Sequence, residues 1–111
     1  MANVVYSQKA LSDLEEIGDY ISMELQNPIA ALNTVTKIQD KIDKLAGFPY
    51  IGALLSSIFD DIEDNDYRYL VCMNYLAFYR VDGNTVYIDR IIYGRRDYIT
   101  ILFGNPPKNE E

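Results

Sequence analysis

The order of local signals along this chain predicts an α+β fold: an N-terminal strand, an antiparallel helical hairpin, then a C-terminal antiparallel β-meander. Three observations carry that prediction. Two apolar stripes at helical spacing are separated by Asn27-Pro28. From Tyr67 onward the composition shifts to strand formers punctuated by Asp82-Gly83-Asn84. A short apolar start, Asn3 to Tyr6, precedes the first stripe. A chain of 111 residues is one domain, long enough to bury a core without disulfide or metal staples.

Asn3 to Tyr6 reads as a strand, and Ser7 offers an N-cap to the first helix. Leu11, Leu14, Gly18, Ile21 and Leu25 recur at helical spacing with acids between them. Gly18 lowers helix propensity by about 1 kcal/mol relative to Ala, so its place on the stripe points to close approach by another element. Asn27 can cap a second helix with Pro28 in its first turn, where the missing N–H costs nothing. Ile29, Leu32, Val35, Ile38, Ile42 and Leu45 form the second stripe, closed by Gly47 and Pro49. Both stripes are expected to be core.

Tyr50 to Phe59 is apolar and is compatible with a strand or a helical turn. Asp60 to Asp66 (DDIEDND) carries five acids in seven residues and reads as an exposed loop. Tyr67 to Tyr75 and Leu76 to Val81 are strands, Asp82-Gly83-Asn84 is a hairpin turn, and Thr85 to Tyr93 is the last strand. In that strand, strict alternation puts Val86, Ile88 and Ile92 on one face and Tyr87, Asp89, Ile91 and Tyr93 on the other. Gly94 ends it, and Arg95 to Phe103 forms a short helix or extended tail. The domain therefore spans 1–103, with a polar tail over 104–111 that is expected to fray.

Composition removes several chemistries. With Cys72 as the single cysteine there is no intramolecular disulfide, and with no histidine there is no imidazole base or His-ligated metal. No glycine pattern matches a phosphate loop, so neither a cofactor nor a metal is expected. The N-terminus lacks the features of a signal peptide and no apolar run approaches a membrane span, so a soluble cytoplasmic protein without membrane contact is expected.

The arginines are the informative residues. All five lie between Arg68 and Arg96, and three fall within RIIYGRRDY, Arg90 to Tyr98. Residues 1–66 hold 4 Lys against 12 Asp/Glu, whereas residues 67–98 hold 5 Arg against 3 Asp. Arginine presents planar forked donors that match phosphate and carboxylate. Ten tyrosines, several interleaved with these arginines, suit base stacking and protein hot spots equally. The candidate binding residues are therefore Arg80, Arg90, Tyr93, Arg95, Arg96 and Tyr98.

DLEEIGDYI (Asp13 to Ile21), NPIAA (Asn27 to Ala31), FPYIG (Phe48 to Gly52), YRYLV (Tyr67 to Val71) and VYIDRIIYGRRDY (Val86 to Tyr98) stand in an order and spacing that resembles the RelE/ParE superfamily of bacterial type II toxin–antitoxin toxins, the plasmid stabilisation type. The first helix and the strand-end GRRD look closer to the ParE-like branch. The resemblance implies a small growth inhibitor neutralised by a cognate antitoxin that wraps its helices and sheet. ParE-like members inhibit DNA gyrase, and that target is the expectation here, with Arg95, Arg96 and Tyr98 as anchors on an Arg90–Phe103 contact surface. RelE-like members are metal-independent endoribonucleases that cut mRNA on the ribosome. On that alternative Arg68 and Arg96 match the catalytic arginines and Tyr98 is the nearest match to a tail tyrosine. The lysines which that pattern places before Arg68 are replaced by Ile58, Asp60, Asp61 and Ile62. A third alternative is a degenerate member that binds its antitoxin without toxicity.

Overall fold

The structure, a computed structural model, describes residues 1–57, 67–96, 101–102 and 104. Along the chain come β1 (Asn3–Tyr6), α1 (Gln8–Asp19), a π-helical turn (Tyr20–Glu24), α2 (Pro28–Asp43), β2 (Ala53–Leu54), β3 (Arg68–Cys72), β4 (Tyr75–Asp82) and β5 (Thr85–Tyr93). The expectations for Asp60 to Asp66, for Tyr98 and for most of the 104–111 tail lie outside the described residues.

Both helices begin where their caps predict. The Ser7 hydroxyl accepts from the Ala10 amide at 2.9 Å, and the Asn27 side chain accepts from Ala30 at 3.1 Å with Pro28 in the first turn. The Ser7 hydroxyl also donates to the Asp89 carbonyl at 2.7 Å, so the same residue ties the start of α1 to β5.

The buried stripes differ from the expected ones. In α2, Ile38, Ile42, Leu45 and Ala31 are buried, whereas Ile29 and Leu32 are exposed. The cause is helical geometry. Each three-residue step falls about 60° short of a full turn, so a run of three such steps carries Ile29 about 180° away from Ile38. Ala31, seven residues before Ile38, returns to its face. In α1 and the following turn the buried line is Ala10, Leu14 and Ile21, and Leu11 and Leu25 lie exposed. Gly18 does face α2: a Cβ there would stand 3.5 Å from Val35 Cγ2, an ordinary contact.

The five strands form one sheet in the order β1-β5-β4-β3-β2. β2 to β5 pair antiparallel, as the meander requires, but β1 joins β5 in parallel at the edge. Of the segment Tyr50 to Phe59, read as either strand or helical turn, the described part holds both, β2 followed by a 3₁₀ turn over Leu55–Ser57, and residues 58 and 59 lie outside the described residues. The β3–β4 reversal falls at Met73-Asn74 rather than after Tyr75. It has no Gly or Pro to mark it, and Met73 adopts φ +58°.

A β-bulge decides the faces of β5. Phe78 pairs with Arg90 and Tyr79 with Ile88, leaving Asp89 as the extra residue. The bulge reverses the alternation beyond it. Val86 and Ile88 share the helix-side core with Ile91, and Ile92 turns to the opposite face, which corrects the regular alternation. On the helix side, Ala10, Leu14, Ile38, Ile42 and Leu45 pack on Leu70, Ala77, Tyr79, Val86 and Ile88. On the far side, Leu55, Tyr67, Phe78 and Ile92 form a smaller cluster covered by the helical residues Ile101 and Leu102.

Candidate functional site

A groove of about 660 Å³ opens where the end of α1 faces the end of β5. The α1 side and the π turn contribute Asp13, Glu16, Ile17, Tyr20 and Leu25; the β3–β4 turn contributes Met73, Asn74 and Tyr75; and the C-terminal end of β5 contributes Ile91, Tyr93 and then Arg96. Strand pairing builds one wall. Tyr75 and Tyr93 are cross-strand partners whose rings meet edge to face at 5.7 Å. Burial, then Tyr93 and Tyr20, push the Tyr75 hydroxyl's pKa above its ordinary value. Tyr20, Tyr93, Met73 and Leu25 are exposed, so apolar surface lines the opening. The strand end is fixed by the Gly94 amide, which donates to Asn74 O at 2.8 Å, and by the Arg96 amide, which donates to Tyr93 O at 3.0 Å. A Cβ on Gly94 would stand 3.3 Å from Asn74 O, so a small residue suits that close approach.

The arginines divide among four environments. Arg96 lines the groove beside Tyr93, and Arg95 is exposed next to it. Arg90 is engaged internally: its Nε and Nη2 donate to the two carboxylate oxygens of Asp13 at 2.9 and 3.0 Å. Those bonds hold the Arg90 guanidinium's pKa above its ordinary value despite burial. Arg80 lies exposed over the Tyr87 ring, its guanidinium carbon 5.4 Å from the centroid. Arg68 opens β3, next to the edge strand β2. Its Nη1 donates to Gly52 O at 2.7 Å and to Tyr50 O at 3.3 Å, and it stacks over the Tyr50 ring at 5.0 Å.

Arg68 and Arg96 are therefore not brought together. Arg68 pairs with Tyr79 and Tyr93 with Tyr75, so the register separates the two ends by four residues and two strand spacings. That is about 16 Å between the Arg68 and Tyr93 Cα atoms, and Arg96 lies in the turn beyond Tyr93. Among the described residues, no group of three or more His, Cys, Asp or Glu is placed to hold a metal, and no helix is long and apolar enough to cross a membrane.

Three participants were not singled out by the sequence. Asp13 reads there as one of several acids between apolar positions, yet it is buried and holds β5. Its position three residues after Ala10, at the border of the buried line, was the available signal. Tyr20 and Tyr75 enter the groove through the π turn and the strand register, and neither feature has a sequence signature.

A strand, a helical hairpin on one sheet face and an antiparallel meander make up the α+β fold expected of a RelE/ParE-type toxin. Residues 4–98 match the family described as the ParE toxin of the type II toxin–antitoxin system parDE. The chain is 31% identical over 96 residues to toxin RelE2 of Caulobacter vibrioides, covering 86% of this chain and 99% of that protein. It also superimposes with a TM-score of 0.69 and 27% identity on a chain of the chromosomal ParDE system from P. aeruginosa, covering 84% of this chain and 96% of that one. The chain belongs to the ParE toxin family of type II toxin–antitoxin systems.

Proposed function

We propose that this toxin arrests growth by binding DNA gyrase through the end of β5, and that a cognate antitoxin neutralises it. Tyr93, Arg95 and Arg96 are the anchors on the described part of that surface; Tyr98, expected from the sequence as a further anchor, lies outside the described residues. The observation that carries the choice is the placement of Arg68. Its guanidinium is tied to two backbone carbonyls and a tyrosine ring, two strands across and at the opposite strand end from Tyr93 and Arg96. A phosphodiester cleaver needs positive groups converging on one phosphate, and this pair diverges. The net charge of −7 also opposes affinity for RNA phosphates, whereas it does not obstruct a protein interface. The exposed apolar residues at the tip of the helical hairpin, Tyr20, Met23, Leu25, Ile29 and Leu32, supply a surface for the antitoxin to cover.

The test induces the chain without antitoxin and follows thymidine and methionine incorporation, with a supercoiling assay on purified gyrase. Early loss of thymidine incorporation and of supercoiling is expected. Arg96→Ala should abolish both effects, and Arg68→Ala should retain them once folding is verified. Early loss of methionine incorporation, abolished by Arg68→Ala, would replace this reading with ribosome-dependent mRNA cleavage.

A further inference from the structure

Asp13 is a buried charged residue that joins two elements across the groove. β1 accompanies β5 only as far as the Tyr6–Ile88 pair, and beyond it α1 lies along that edge. Side chains of the helix take the place of a neighbouring strand there. The Ser7 amide donates to Ile88 O at 2.9 Å and its hydroxyl to Asp89 O at 2.7 Å, and six residues further on Asp13 takes up the next positions. Its Oδ2 accepts from the Ile91 amide at 2.8 Å and from Arg90 Nε at 2.9 Å, and its Oδ1 accepts from Arg90 Nη2 at 3.0 Å. The Asp89 bulge falls immediately before the two residues that Asp13 holds.

We propose that Asp13 is a positioning residue for the toxin's contact surface: by gripping Arg90 and Ile91 from α1, it sets where Tyr93 to Arg96 stand beside the groove. The inference rests on the reading that this strand end is the contact surface, and it is independent of which target the surface meets. Three charge-assisted bonds converge on one carboxylate, a fork geometry that fixes orientation as well as distance. The held residues lie two to six positions before Tyr93, Arg95 and Arg96, so a shift at Arg90 moves the anchors directly. Arg90 thus acts within the surface's support rather than as an anchor.

Asp13→Asn tests this with little change of shape. Its amide oxygen can still accept from the Ile91 amide, but its NH₂ cannot accept from Arg90. Growth inhibition is read at matched toxin levels for Asp13→Asn, Arg96→Lys and the double variant, alongside melting temperatures and amide exchange. Asp13→Asn should lower potency about tenfold, the scale of one charge-assisted bond, and should lower it much less in the Arg96→Lys background. A loss of equal size in both backgrounds would mark Asp13 as a stability residue only, and unchanged potency would overturn the proposal outright. Exchange of the Gly94 and Arg96 amides should quicken in Asp13→Asn while that of Leu14 does not. This readout decides the matter even if the parent chain does not arrest growth, since unchanged exchange at both amides refutes the positioning role. Should Asp13→Asn not fold, Arg90→Lys, which keeps the charge and loses the fork, takes its place in both measurements.

Discussion

The Tyr79 hydroxyl gives the sharpest quantitative expectation. Tyr79 is completely buried at the centre of β4, and its hydroxyl accepts a hydrogen bond from the Gly52 amide at 2.8 Å. Gly52 is held a second time, because its carbonyl accepts from Arg68. Tyr79→Phe removes a single oxygen and preserves the ring, so the cavity created is small. What remains is the Gly52 N–H, buried and without its acceptor. Leaving one such donor unpaired costs about 1–3 kcal/mol. For a domain of this size each kcal/mol lowers the melting temperature by about 4 °C, so a drop of about 4–12 °C is expected in a thermal melt followed by circular dichroism. The same locus has a second, steric expectation. A Cβ at Gly52 would stand 2.6 Å from Tyr69 O and 2.5 Å from the Tyr79 hydroxyl, and the backbone oxygen cannot rotate away. Gly52→Ala should therefore be at least as damaging as Tyr79→Phe, and the double variant should lose less than the sum because both act on one bond. A Tyr79→Phe melt within about 1 °C of the parent would refute the claim that this hydrogen bond anchors the 50–52 segment to the sheet.

Three further outcomes can be measured on the same material. Gly18→Ala should raise stability by up to about 1 kcal/mol in urea titration, because the added methyl meets Val35 at an ordinary contact distance and the helix gains propensity. Burial and the Asp89 hydrogen bond raise the Tyr67 pKa far above its ordinary range, and burial raises Tyr6 to about 12. Both sites bind their protons more tightly in the folded state, so their contribution is complete below about pH 10 and falls as pH rises toward and past their folded values. Melting temperatures taken from about pH 8 to 11.5 should therefore decline, and less steeply in Tyr67→Phe; equal slopes would contradict the assignment. Cys72 is buried, with its thiol pushed up to about 11, so it should resist a thiol reagent at about pH 8 in the native protein and react promptly in denaturant; rapid native labelling would exclude this burial.

Legibility in the sequence followed the range of the interactions involved. Ser7, Asn27 and Pro28 act within one turn, and the helix starts they predict are observed. Gly83 can adopt the positive φ of a two-residue reversal, here +61°, and the β4–β5 turn falls there. Apolar spacing was informative only when its angular drift was counted, as Ile29 and Leu32 show. The candidate site was legible as composition, in the Arg90–Tyr98 run, but not as geometry. Nothing adjacent to Arg68 announces that two carbonyls sixteen and eighteen residues earlier in the chain will hold it. Nor does anything beside Arg90 announce Asp13, 77 positions away.

By itself, then, the amino-acid order determined the α+β class, the hairpin and its caps, the last turn of the meander and the concentration of arginine near one end. These follow from dihedral preference, periodicity and charge, which are properties of neighbouring residues. Only the tertiary structure decided that β1 enters in parallel, that one bulge at Asp89 exchanges the faces of Ile91 and Ile92, and that Arg68 and Arg96 point to opposite ends of the sheet. The reason is that side chains alternate with a period of two along a strand. One extra residue reverses every face beyond it, and whether that residue is accommodated depends on a partner strand that local sequence does not encode.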